Sequence, residues 1–409
     1  MGGTDEHERK QSHGALALSA SKKMTKDLLP PNAAEVLFYG RETEMIENWN
    51  QVQITPEFCD QGVDCYRLKG DFLNEYYIIS EAETRKLMNH PEVVGYEVYT
   101  SLVTATSQMM YYLKEHKKIT SANILSILRG ALNYPLEESC FREHIRVHDI
   151  SFMSSERVFD ENGNMDGLAI KYCKLATVPN STPMIGDIIA SGETLVQCLR
   201  FVTDYYRQRN AQLRNIVLFT IGGTKGIELL ERLTVEIREY WPDFEGFITV
   251  YYEGVFSCYE VGDFGVSGIN RALIDFYWKG GIIAPAFRRQ TLSMQNPLFE
   301  KCTIYDGGAR RYEIQEHIQE VLEFWEGILE RAHIIDKDAL LEEKLGHSLS
   351  ISYEDWLKDC HYELLDEKET RWLYQQEKGF IESIKGVTLE QIARQRIEEF
   401  TSTLKKYIL

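Results

Sequence analysis

The run Pro183-Met184-Ile185-Gly186-Asp187-Ile188-Ile189-Ala190-Ser191-Gly192-Glu193-Thr194-Leu195 constrains this 409-residue chain more than any other segment. Its apolar start reads as a strand that stops at an acid, its middle as a turn of small residues, and its end as a helix. Such a turn aims the backbone N–H groups of Ala190, Ser191, Gly192, Glu193 and Thr194 at one point at a helix N-terminus, where unpaired donors and the helix dipole favour an anion. Asp187, just upstream, is poorly suited to a phosphate but well suited to ribose hydroxyls or a Mg²⁺ carried by the same ligand. The implied ligand is a sugar phosphate. The plain alternative is a strand-to-helix turn that uses small residues for steric reasons alone.

Apolar runs of strand length recur on both sides. Asn123 to Leu128 reads as a buried strand ending in Arg129-Gly130, where glycine lets the backbone approach a diphosphate and a guanidinium can fork onto its oxygens. Downstream, a helix over 193–210, a strand over 215–221, a turn at Gly222-Gly223-Thr224-Lys225-Gly226, a helix over 227–240 and a strand over 246–252 follow in turn. Buried strands alternating with helices specify a parallel sheet with helices on both faces, an α/β fold. Ligands of such sheets bind outside the carboxyl ends of the strands, where Arg129, Asp187 and Gly222 fall together. Between the two loops, Ser154 to Gly167 is polar and turn-rich, which suits two strands joined either by a mobile arm or by a plain hairpin loop.

The flanks differ in kind. Residues 1–32 combine charge, Ser and Gly and read as a disordered leader without an apolar stretch of membrane-spanning length. Residues 33–118 are mixed, with strand candidates at 35–39 and 64–68 and helices over 80–89 and 96–115 that cover the core. The α/β core runs over 119–295, and 296–409 reads as an all-α accessory appendage, its helices placed at 312–332, 337–346, 353–360, 367–384 and 389–406 by apolar stripes. Dimerisation, a lid or partner docking would each suit it.

A formal net charge of −18 disfavours nucleic acid and anionic membranes as partners, which both select basic faces. A small anionic substrate needs only a local positive site. The eight cysteines are scattered without a Cys-x-x-Cys pair and, with no apolar leader, read as reduced thiols of a cytoplasmic protein. No Walker-type or dinucleotide-binding glycine motif is present.

Gly186 to Thr194 resembles the diphosphate-sugar motif of the type I phosphoribosyltransferases: one or two acids, two apolar residues, then Ala/Asp-Thr/Ser-Gly-x-Thr/Ser. The first acid of that pattern is Gly186 here. Within the family, Leu128-Arg129-Gly130-Ala131-Leu132 is similar to the Leu-Arg-Ala-Gly-Leu of the uracil branch, with the two small residues exchanged. Tyr172-Cys173-Lys174-Leu175 resembles the Tyr-x-Lys-Leu by which that branch's catalytic arm returns. Gly262-Asp263-Phe264-Gly265 looks like the first half of its base-reading loop, whose Asp-Arg second half is not kept.

The resemblance spans roughly residues 90–285 and implies Mg²⁺-dependent phosphoribosyl transfer from 5-phosphoribosyl 1-diphosphate to a pyrimidine-like acceptor, with release of pyrophosphate. It implies Asp187 on the ribose hydroxyls, residues 190–194 on the 5′-phosphate, and Arg129 with Gly130 on pyrophosphate. Arg157 and Lys174 are then the arm candidates, and Tyr259 with Gly262, Asp263 and Phe264 receives the base. A binding module that keeps the cradle without turnover, and signals through the helical tail, is the alternative.

Overall fold

The structure, a computed structural model, describes residues 49–128, 130–159, 165–178, 181–190, 192–258, 262–269, 276–300 and 307–407. The leader and the strand candidate at 35–39 lie outside the described residues. An antiparallel meander comes first: β1 (Gln53–Asp60), β2 (Val63–Lys69) and β3 (Glu75–Ser80), followed by α1 (Ala82–Asn89), α2 (Tyr96–Thr100) and α3 (Val103–Lys117). Next come β4 (Ser121–Leu128), a 3₁₀ turn at Gly130–Asn133, α4 (Leu136–Arg142) and the hairpin β5 (Arg146–Phe159) and β6 (Met165–Lys174). Then β7 (Thr182–Ile189), α5 (Glu193–Gln208), β8 (Asn215–Gly223), α6 (Thr224–Arg238) and β9 (Gly246–Cys258) alternate as the sequence implies. The last strand is β10 (Phe276–Ile283), and α7 (Pro285–Thr291) follows it.

These ten strands make one sheet in the order β1-β2-β3-β9-β8-β7-β4-β5-β6, with β10 paired to β9 beyond the end of β3. The inner pairs β3–β9, β9–β8, β8–β7, β7–β4 and β4–β5 are all parallel. Every residue of β8 is buried, the mark of a strand covered on both faces. Alternation assigns the faces. On one, Tyr252 of β9 bonds Thr106 of α3 at 2.7 Å, and Cys140 of α4 lies 3.8 Å from Met184 of β7. On the other, α6 comes so close at Gly226 that a Cβ would overlap Ile189 of β7.

Two strands have no sequence signature. β1 carries Thr55-Pro56-Glu57, which reads as loop; Pro56 is accepted because β1 is an edge strand with an irregularity beside it. β10 is interrupted by Lys279-Gly280-Gly281, where its register with β9 also shifts.

The C-terminal region is all-α: α8 (Gly307–Tyr312), α9 (Ile314–Arg331), α10 (Lys337–Leu345), α11 (Tyr353–Asp359), α12 (Glu367–Ser383) and α13 (Leu389–Leu404). Asp336, Ser352, Asp366 and Thr388 cap the N-termini of α10 to α13 with their side chains. The buried residues of these helices, among them Trp325 and Trp356, run into those of the sheet without a break. Buried Arg310 of α8 donates to the carbonyls of Leu87, His90 and Val93, which end α1 and begin the loop after it. The helical region is thus packed into the core rather than hung from it. Among the described residues, no helix is long and apolar enough to cross a membrane.

Candidate functional site

Because β4, β7 and β8 are parallel neighbours, the chain leaves the sheet after Leu128, Ile189 and Gly223 at one edge. The strand β7 runs past Asp187 instead of stopping at it, since Ile188 and Ile189 still pair with Ile221 and Gly222 of β8. Asp187 therefore sits inside the strand, two residues from its end, and alternation puts its carboxyl on the face of α5 and α6 with Ile189.

Asp187 is the chemical centre of this edge. Its Oδ1 accepts the N–H of Ile188 at 2.8 Å and lies so close to Gly130 that a Cβ there would overlap it. Gly130 thus permits the turn after β4 and the carboxylate on β7 to touch. Burial pushes the Asp187 carboxyl up to about 7, and the Ile188 N–H offsets this only in part. No cation answers it among the described residues, and its Oδ2 has no hydrogen-bond partner among them. A half-buried aspartate with one oxygen unspent fits a hard cation or a pair of hydroxyls. Asp187 is the residue that would hold such a cation. Among the described residues, no group of three His, Cys, Asp or Glu converges as a metal site of its own.

The place of the absent first acid is filled. A Cβ at Gly186 would lie 2.5 Å from Cγ of Tyr134, whose buried ring packs on the other face of β7. The Tyr134 hydroxyl accepts the Ile221 N–H at 3.2 Å. One tyrosine thereby ties the turn after β4 to both β7 and β8. Nothing local in the sequence signals this residue, since it acts through contacts 52 and 87 positions away.

The cradle follows. Gly192 takes φ +80° as the N-cap of α5, a left-handed conformation that suits glycine, and no side chain caps the helix. The first N–H groups of α5 are therefore left for an anion. Glu193 is exposed in the first turn. The Thr194 hydroxyl accepts from Nε of Arg157 on β5 at 3.1 Å. Gly130, Asp187, Ala190, Gly192, Glu193, Thr194 and Arg157 thus share one region. Arg129, Ser191 and Tyr259 lie outside the described residues.

Two further groups make other contacts among the described residues. Lys174 pairs with Phe152, an even position of β5, so it points to the face opposite that of Arg157, an odd one; the hairpin irregularity at Ser154 and Ser155 fixes this parity. The segment holding Gly262, Asp263 and Phe264 lies against the C-terminal helices. Arg331 of α9 donates to the Ser267 carbonyl at 2.9 Å, and Glu343 of α10 accepts the Val266 N–H at 2.8 Å. The Asp263 carboxylate accepts the Gly265 N–H at 2.7 Å, and the Phe264 carbonyl accepts the Gly268 N–H at 3.0 Å. Several polar groups suited to reading a base edge are therefore occupied within the protein. Phe264 itself is half exposed.

The sequence matches no family model and no curated protein. Among solved structures, the chain is similar to a hypoxanthine phosphoribosyltransferase from Staphylococcus aureus, at 13% identity over 33% of this chain and 69% of that one, with a TM-score of 0.24. It is likewise similar to a hypoxanthine-guanine phosphoribosyltransferase from Bacillus anthracis, at 17% identity over 32% and 73% of the two chains, with a TM-score of 0.23. Neither is named as a uracil enzyme, and the uracil branch draws no support from them. Likenesses this loose fix neither a fold family nor an activity, and the functional reading of the chain rests on the geometry of its β4–β7–β8 edge.

Proposed function

We propose that the chain binds 5-phosphoribosyl 1-diphosphate with Mg²⁺ across this edge and transfers its phosphoribosyl group to a nitrogen of a nucleobase-like acceptor. The observation that carries the reading is the Asp187 carboxylate, held against Gly130 and beside the uncapped N-terminus of α5. In this reading Asp187 grips the ribose hydroxyls, residues 190–194 take the 5′-phosphate, and Arg129 with Gly130 takes pyrophosphate. Arg157 steadies the cradle through Thr194. The acceptor nitrogen's lone pair forms the C1–N bond as the C1–O bond breaks and its electron pair leaves with pyrophosphate, and the nitrogen's proton passes to water. Bound Mg²⁺ would neutralise the departing diphosphate; the protein's share is to position the partners and exclude water.

A second reading has its own support. Tyr134 occupies the space of a second acid, so a single carboxylate remains to steer the sugar, as befits a module that binds without turnover.

Calorimetry with Mg²⁺ and phosphoribosyl diphosphate separates these from a purely structural edge. Wild-type binding that vanishes in Asp187→Ala supports the site, and binding unchanged in that variant sinks it. Release of pyrophosphate on adding bases then marks an enzyme, and its absence across a base panel marks the binding module.

A further inference from the structure

Beside the 130–133 turn, three tyrosines surround one arginine. Tyr96 and Tyr99 on α2 stack with ring centroids 5.5 Å apart and an interplanar angle of 19°. The Arg311 guanidinium of α8 lies 5.8, 4.9 and 5.0 Å from the centroids of Tyr96, Tyr99 and Tyr312. It also donates to the Leu132 carbonyl, two residues beyond the Gly130 that touches Asp187. Yet Tyr96 is 64% and Tyr312 49% exposed. Large rings stacked, fixed by a cation and still presented to water mark a surface kept for a partner ring.

Building on the sugar-phosphate reading above, we propose that this cluster is the base subsite: the flat heteroaromatic ring of a nucleotide stacks on the open face of Tyr96, with Tyr312 at its edge. The 130–133 turn links the two places: Gly130 at its start touches the Asp187 carboxylate, and its Leu132 carbonyl takes the Arg311 guanidinium on which the tyrosines pack. The Phe264 segment is the weaker candidate, since Glu343, Arg331 and the segment's own groups already take much of its backbone hydrogen bonding. Stacking tolerates different rings, so this subsite reads aromaticity more than base identity.

The test is calorimetry of the full-length protein with ribose 5-phosphate, and with AMP and UMP as ring-bearing probes. The wild type binds the nucleotides more tightly than ribose 5-phosphate. Tyr96→Ala lowers nucleotide affinity about tenfold and leaves ribose 5-phosphate unchanged. Tyr96→Phe keeps the affinity, and Phe264→Ala has no effect. Equal loss for both ligand types in Tyr96→Ala, no loss in either, or a nucleotide-selective loss in Phe264→Ala each overturns the subsite. Ribose 5-phosphate binding with no gain from the base refutes the subsite alone, whereas binding of none of these ligands, nor of phosphoribosyl diphosphate, refutes the sugar-phosphate site with it.

Discussion

Asp187 at the edge of the sheet and Glu377 among the C-terminal helices are carboxylates in opposite circumstances. Glu377 is fully buried, yet Arg288 meets it at 2.7 Å, Trp356 donates at 3.0 Å, and His347 Nε2 lies 3.1 Å away. Burial pushes its pKa up, but His347, Arg288 and Trp356 outweigh that and hold it below the usual carboxylate range. Asp187 has one backbone N–H, and burial leaves it near 7. One region satisfies its own charges; the other retains a carboxylate that no cation among the described residues answers, and the proposed ligand would bring its counter-charge there. Glu253 shows why elevation alone marks no site. Burial pushes it to about 7 as well, but Glu253 is fully enclosed, its Oε1 taken by the Glu81 N–H and the Thr84 hydroxyl at the start of α1 and its Oε2 closed off without a partner.

The contrast breaks most easily at its strong end. Glu377→Ala leaves Arg288 buried without its carboxylate and is expected to cost about 3–5 kcal/mol in denaturant unfolding; a loss below ~1 kcal/mol would mean that the two carboxylates do not differ in kind. Next comes Asp187 itself. A carboxyl whose folded pKa lies above its unfolded value binds its proton more tightly when folded, so ligand-free stability falls as pH rises from about 4 through about 7, by up to ~4 kcal/mol. Asp187→Asn is expected to abolish that slope, and thermal melts of the two proteins at pH 5 and pH 8 measure it.

Smaller effects sharpen the picture. Gly186→Asp, which restores an acid beside Asp187, forces Tyr134 out of place and is expected to destabilise by about 1–3 kcal/mol. Tyr134→Ala should relieve part of that cost in the double variant, and additive losses would show that the two positions do not compete for space. Arg331→Ala is expected to loosen the 262–269 segment by about 1 kcal/mol, seen as faster amide hydrogen exchange there with the global melt little changed.

The sequence made the parallel sheet readable because β4, β7, β8 and β9 are long apolar runs separated by amphipathic helices, and α9 to α13 readable because their apolar stripes are local. Asp187 and the cradle were legible for the same reason, lying within twelve consecutive residues. Tyr134 was not, since only the folded sheet brings it onto Gly186. Periodicity gave α9 an apolar stripe without revealing that Arg331 at its end holds the loop after β9. β1, β3 and β10 lie outside the strands read from the sequence: Pro56 and Gly280-Gly281 break the strand pattern at positions the sheet tolerates, and the short apolar run of β3 abuts the helix read at 80–89.

The parallel pairing of β3 with β9 joins residues 75–79 to residues 248–252, about 170 positions later. At typical rates of translation, the β1–β2–β3 meander waits roughly ten to thirty seconds after leaving the ribosome for its permanent neighbour. Throughout that interval the β3 edge presents unpaired N–H and C=O groups beside Tyr76, Ile78 and Ile79, a surface open to any other extended chain. The loop after α1 waits longer still, until Arg310 emerges to satisfy its carbonyls. These strands, the first among the described residues to be made, are among the last to be secured, and misassembly of a nascent or truncated chain is expected to begin there.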